Sequence, residues 1–245
     1  MKKVVVVGAA GKMGRAVQDA ARAREDLTIT GTVDQHDDLA TALAGCDVYV
    51  DFSTPAATLA AARAAITMKK PAIVGTTGLP GDVEGVLGEL AKVAPICVAA
   101  NFSLGVNLML GLVRQAARAL GPDWDAEVVE THHKAKRDAP SGTALAIAKA
   151  IAAGDGADDD AVERHARDGE IGARPRGEIG VATVRGGDVV GEHVAYFFGP
   201  HERLEIAHRA TSRDIFATGA LVAAAWIVGK PPGRYTMLDV LGLPS

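Results

Sequence analysis

Four consecutive valines, Val4–Val7, run straight into Gly8-Ala9-Ala10-Gly11-Lys12-Met13-Gly14, and an Ala-rich stretch begins at once. A short buried strand, a glycine turn and a helix start, in that order, can make few structures. Glycines let the chain reverse sharply and bring backbone N–H groups close to a pyrophosphate, while the helix N-terminus adds a favourable dipole. The spacing is G-x-x-G-x-x-G, and its position between strand and helix is what gives it weight. Asp34 closes the next β-branched run, where an acidic side chain accepts hydrogen bonds from ribose hydroxyls and repels a 2′-phosphate. Gln35 and His36 follow it, and no Arg stands beside it, which points to NADH as the preferred cofactor and leaves NADPH admissible. The competing reading of the glycines is a tight turn, and of Asp34 a solvated strand end.

The same rhythm continues for a hundred residues. Short apolar runs at Val4–Val7, Thr28–Val33, Val48–Phe52, Ala72–Val74 and Ile96–Ala99 alternate with helical stretches at Lys12–Arg24, Pro55–Met68 and Asp82–Val93. Strands separated by helices imply right-handed βαβ crossovers and a doubly wound parallel sheet covered on both faces. Gly75, Thr76 and Thr77 follow the fourth run, and Ala99, Ala100, Asn101 and Phe102 follow the fifth. Ligands of open α/β sheets lie outside the carboxyl ends of the strands, so both loops are placed for a nicotinamide, or else are ordinary turns.

After Asn101 the pattern changes. Ser103 can cap a helix ending near Leu120, Asp125–Thr131 reads as a strand, and Ser141 can cap a helix over Thr143–Ala153. Gly154–Glu178 reads as a long loop with some local helix. Three alternating runs, Ile179–Arg185, Val189–Phe198 and Arg203–Ala210, predict antiparallel or mixed strands with one wet face. Thr211 or Ser212 then opens a long helix through Val228 that returns to the first domain. The predicted organisation is an α/β chain: a Rossmann-type domain, 1–103 with 212–245, and a smaller α+β domain with a mixed sheet, 104–211.

Function classes narrow by charge and cysteine. A net charge of −4 gives no basic surface for nucleic acid. Four valines stopped by Gly8 are too few for a signal segment or a membrane span, and later apolar stretches are broken by charge. Cys46 and Cys97 form no C-x-x-C and read as buried free thiols, in keeping with a reducing, cytoplasmic setting.

The stretch Glu130 to Thr143, ETHHKAKRDAPSGT, is the most unusual in the chain. Adjacent residues at a strand end point to opposite sides, so His132 and His133 suit one metal poorly, and no zinc pattern completes them. No metal is expected. Two imidazoles, three cations and a Ser-Gly-Thr helix start instead suit a small anionic substrate: N–H donors and a lysine for carboxylates, a histidine for proton transfer. A solvated basic loop is the alternative.

This segment resembles the signature of the bacterial dihydrodipicolinate reductase family, the 4-hydroxy-tetrahydrodipicolinate reductases of lysine and diaminopimelate synthesis. The likeness extends through the glycine loop, Val74–Gly78, Ala100–Ser103, Gly105–Asn107, Gly180–Arg185, Gly187–His193, Glu202–Ile206 and Ser212-Arg213. It implies that His132 is a proton donor or acceptor and Lys136 a second proton donor. It implies substrate-carboxylate contacts at His133 and at the Gly142-Thr143 backbone. Gly8, Ala9, Ala10, Gly11, Lys12 and Met13, Gly75–Thr77 and Ala99–Phe102 match cofactor contacts, with Asp34 at the ribose position. Members using both cofactors often carry Arg where this chain has Gln35. The resemblance also implies a cyclic dicarboxylate imine as substrate and a homotetramer assembled through the second sheet. Two other readings stay open: a semialdehyde dehydrogenase with Cys97 as nucleophile, and a non-catalytic regulator that senses the dinucleotide.

Overall fold

A computed structural model describes residues 1–35, 37–156 and 163–244. The chain divides into two compact units, Met1–Leu104 with Asp214–Ser245, and Gly105–Arg213.

The first unit is built on strands β1 (Lys2–Val7), β2 (Leu27–Val33), β3 (Val48–Asp51), β4 (Ala72–Val74), β5 (Pro95–Val98) and β11 (Gly233–Tyr235). They lie in the order β11-β5-β4-β3-β1-β2, and every pairing is parallel. Burial on both faces explains the unbroken valine run. Val4 and Val6 join Val48, Val50, Ile73 and Cys97 on one face, under α1 (Lys12–Ala21) and α7 (Asp214–Ile227). Val5 and Val7 join Tyr49, Ala72, Val74 and Ile96 on the other, under α2 (Leu39–Ala44), α3 (Pro55–Met68) and α4 (Gly81–Val93). Thr54 caps α3 by accepting from the Ala57 N–H, with Pro55 at the first helical position.

The sheet order reverses between β3 and β1, the place where open α/β sheets bind ligands at their carboxyl edge. In this unit three elements carry no clear sequence pattern: α2, β11 and α8 (Met237–Leu241). All are short. β11 is an edge strand of three residues whose partner, β5, is far away in sequence.

The second unit packs α5 (Leu104–Leu120) and α6 (Gly142–Asp155) on a five-stranded sheet. Its order is β10 (Glu202–Ala210), β9 (Gly191–Gly199), β6 (Asp125–His132), β8 (Ile179–Arg185) and β7 (Glu163–Arg164). It is mixed: β6 runs parallel to β8 and antiparallel to β9. Helix α7 starts at Asp214, a little later than its predicted cap.

The 154–178 stretch is largely the expected loop: α6 ends at Asp155, and from residue 163 on the chain makes the two-residue β7 and then runs irregularly, while residues 157–162, part of the stretch expected to hold some local helix, lie outside the described residues. Side chains tie it down instead. Arg167 spans Glu127 and Glu178, and Arg174 reaches Asp125 and Glu127. Arginine forks supply an order that local helix propensity does not.

Candidate functional site

In the first unit a cavity of about 550 Å³ opens at the β1/β3 edge, among Gly8, Gly11, Asp34, Gln35, Phe52 and Ser53. The glycine loop is shaped by contacts no side chain would permit. Gly8 has a φ of +78°, and a Cβ there would sit 2.5 Å from the Phe52 carbonyl oxygen. A Cβ on Gly14 would overlap the Gly8 carbonyl oxygen. Gly11 caps α1 with no side-chain hydrogen bond, so the first-turn N–H groups have no cap acceptor and face the direction in which an anion is favoured. The Asp34 carboxylate accepts from the Ala10 N–H at 3.1 Å to both oxygens, which locks the acidic strand end onto the glycine loop. Asp37, on the same cavity, accepts from the Asp34 N–H at 2.7 Å. Two carboxylates therefore stand where the sequence predicted one. His36 lies outside the described residues. A backbone anion cradle beside a strand-end carboxylate fits a dinucleotide.

The loop after β4 is held from beneath. Thr76 Oγ1 accepts from the Ser53 N–H at 2.9 Å and donates to Asp51 at 3.3 Å. Ser53 and Thr58 also donate to Asp51. Burial raises the Asp51 carboxyl above its ordinary range despite these three hydroxyls. Asp51 was missed in the sequence because it reads as the polar end of a strand. Phe102, expected at the cofactor, is buried edge-on against Phe52 with ring centres 5.7 Å apart. Its side chain is core, and its carbonyl oxygen is packed so closely on Gly219 that a side chain there would overlap it. Thr77 and Ala100 are exposed, and Asn101 Oδ1 accepts from the Ser103 N–H at 2.8 Å.

In the second unit, strand alternation puts Ala126, Val128, Glu130 and His132 on the buried face of β6. The last two are polar, and both are engaged. His132 Nδ1 lies 2.5 Å from Glu130 Oε2. Arg185, from β8, donates to both Glu130 oxygens at 2.8 and 2.9 Å. The Ser141 N–H and the Thr183 hydroxyl donate to Oε1 at 3.1 and 3.3 Å. Burial alone would raise the Glu130 carboxyl, but the Arg185 guanidinium and the His132 ring outweigh it and hold the group at about 2. His193, from β9, packs edge-on against His132 and shares a 3.0 Å hydrogen bond with Ser141 Oγ. Burial, helped by the neighbouring His132, pushes the His193 imidazole down to about 4.

His133 turns the other way and meets an Arg213 nitrogen at 3.3 Å. Lys136, mostly buried, donates to Asp138 at 2.7 and 2.9 Å. Ser141 caps α6 by accepting from Ala144, and Gly142 and Thr143 begin that first turn. Arg185 and His193 were absent from the expected site. The signal that marks them, a charged or imidazole side chain at an inward strand position, needs the sheet partners to interpret it. Cys97 is fully buried, and burial pushes its thiol up to about 12, which leaves no thiolate for a dehydrogenase of the covalent type. Among the described residues no three His, Cys, Asp or Glu gather as a metal set, and no helix is long and apolar enough to cross a membrane.

Comparison with known proteins gives a consistent answer. The profile described as dihydrodipicolinate reductase, N-terminus, matches residues 2–102, and the one described as dihydrodipicolinate reductase, C-terminus, matches residues 105–241. A 4-hydroxy-tetrahydrodipicolinate reductase from Anaeromyxobacter dehalogenans is 45% identical, over 99% of this chain and 98% of the relative. One from Geobacter metallireducens is 41% identical, over 99% and 100%. The solved dipicolinate-bound dihydrodipicolinate reductase from Paenisporosarcina shares the fold, with a TM-score of 0.82 at 24% identity over 98% of each chain. Across its whole length, then, the chain belongs to the dihydrodipicolinate reductase family of NAD(P)H-dependent oxidoreductases.

Proposed function

We propose that the chain reduces 4-hydroxy-tetrahydrodipicolinate, a cyclic dicarboxylate imine, to tetrahydrodipicolinate in lysine and diaminopimelate synthesis. The unit formed by 1–103 and 212–245 holds the dinucleotide, and 104–211 holds the substrate. The observation that carries this reading is the folded 130–143 segment: an imidazole against a buried carboxylate, a lysine, and a helix N-terminus within fourteen residues. A non-catalytic sensor of dinucleotide has no use for it.

When bound, the nicotinamide supplies a hydride to the ring carbon left electrophilic once the 4-hydroxyl departs as water. Gly8–Met13, Gly75–Thr77 and Ala99–Phe102 hold the cofactor, and Asp34 takes the ribose. His133 with the Gly142 and Thr143 N–H groups binds substrate carboxylate, the helix end contributing donors that need no reorganisation. Lys136 or His132 delivers the balancing proton. Lys136 must first exchange Asp138 for substrate carboxylate. Their pair is half solvent-facing, with Asp138 65% exposed, so the exchange is inexpensive.

NADH is the preferred cofactor, because Asp34 and Asp37 both stand against a 2′-phosphate. A homotetramer in the cytoplasm completes the reading. Its support is the outer face of the second sheet, where Val184 and Phe198 are 46% and 38% exposed, and Tyr196 stacks on Phe198 beneath Arg203. A coupled assay with the dicarboxylate substrate and each cofactor in turn should show turnover with a higher kcat/KM for NADH. No turnover would sink the enzyme, and a clear NADPH preference would sink the carboxylate argument alone.

A further inference from the structure

Every donor around Glu130 requires it to be an acceptor. Arg185 occupies both oxygens, and the Ser141 N–H and Thr183 hydroxyl share Oε1. Among the described residues, the other group against Oε2 is Nδ1 of His132, at 2.5 Å. A carboxylate so surrounded has no proton to give, so the proton between the two groups sits on the ring. The partner of one imidazole nitrogen decides the state of the other. With Nδ1 committed to Glu130, Nε2 is the nitrogen left to exchange a proton with a ligand.

A second observation concerns what lies against Nε2. The residue there is Gly191, the first of β9, and a Cβ added to it would come within 2.9 Å of His132 Nε2. The backbone at Gly191 is not in the left-handed region, so conformation alone does not call for glycine there. The space does.

We propose that Glu130 is a positioning residue that fixes His132 in the Nδ1–H tautomer, and that Gly191 keeps the Nε2 edge of that ring open to the substrate. This rests on His132 being a proton-transfer group. It adds which atom does the work, and two residues that act through it. The charged and titratable groups around the ring are Glu130 from β6, with Arg185 from β8 paired to it, and His193 from β9, on which Lys136 from the following loop also acts. Arg185 supplies the cation that balances Glu130.

The test is a long-range proton–nitrogen correlation spectrum of the intact enzyme, labelled with nitrogen-15 at histidine and recorded at alkaline pH. His132→Gln serves only to assign the signal. The expected pattern is a protonated Nδ1 and a bare Nε2. A ring protonated on Nε2, or averaging between both forms, overturns the proposal. Glu130→Gln should convert the signal to a mixture, because an amide can accept from or donate to Nδ1. Its kcat should fall by roughly a hundredfold or more with substrate KM and NADH affinity little changed. Wild-type kcat in a folded Glu130→Gln enzyme also overturns it. Gly191→Ala should retain NADH affinity and lose kcat by roughly tenfold or more, since small misplacements of a reacting group are costly. Full activity in that variant removes the role of Gly191. If Glu130→Gln does not fold, the wild-type spectrum and Gly191→Ala decide the matter. An Nδ1–H ring in an enzyme whose His132→Ala variant turns over normally would instead fault the proposed function, and leave the tautomer standing.

Discussion

Single side chains carry the chemistry, and two of them separate a reductase site from a charged surface. On a solvated loop, Lys136→Ala would change only net charge. In the proposed site it removes a proton source and a carboxylate partner together. Steady-state kinetics should show kcat reduced at least roughly a hundredfold for both Lys136→Ala and His132→Ala. NADH binding, followed by fluorescence, should stay at the wild-type level, because Asp34 and the glycine loop are untouched. His133→Ala should mainly raise substrate KM, as a group does that binds ground and transition states alike. Near wild-type turnover in the first two variants would move the chemistry elsewhere. The motif was visible as letters, but its internal pairings were not. Glu130 and His132, two residues apart, share one strand face, whereas Lys136 turns to Asp138 and His133 to Arg213.

Elements decide where those side chains stand, and two features at this scale are testable. The start of α1 is packed so closely on the glycine loop that Gly14 admits no side chain. Gly14→Ala should lower stability by about 1–3 kcal/mol, as overpacking does, and weaken NADH binding by displacing the loop. Thermal unfolding and a fluorescence titration would detect both; wild-type values in each would mean the loop yields freely. The second feature is acid lability in the β6–β9 region. His193 titrates at about 4 in the fold against an ordinary 6.5, so between those values the unfolded chain takes up a proton that the fold refuses. Stability therefore falls as pH drops from 6.5 to 4. Burial shifts His208 in the same direction. Glu130, at about 2 against 4.5, adds a second loss at lower pH, as its carboxylate is protonated and its partners lose their acceptor. Urea midpoints measured against pH should show the first decline, and His193→Gln should flatten it while leaving the second. An unchanged slope in His193→Gln would show that burial of this ring does not govern the loss.

At the scale of the whole molecule, the outer face of the second sheet carries exposed apolar side chains among ion pairs such as Arg203–Glu205. Val184, Tyr196 and Phe198 stand on it, and β10 is an edge strand with most of its residues exposed. Such a face and edge invite pairing with another copy. Light scattering should give four times the chain mass of 25.2 kDa. Phe198→Glu should yield smaller species with the first unit's NADH binding intact. A monomeric wild-type protein would refute the assembly.

The doubly wound sheet was legible from residue order, because strands buried on both faces must be apolar runs and a glycine loop between strand and helix has few other uses. The family signature was legible for a similar reason: its chemistry is concentrated in fourteen neighbouring residues. Contacts between distant segments were not. Asp51 draws Thr58 and Thr76 together, Arg185 and Thr183 converge on Glu130 from a neighbouring strand, and β11 finds β5 across more than a hundred residues. Local periodicity reports which face of an element is buried. Which partner waits on that face depends on sheet order and register, and those are settled only when the whole chain packs.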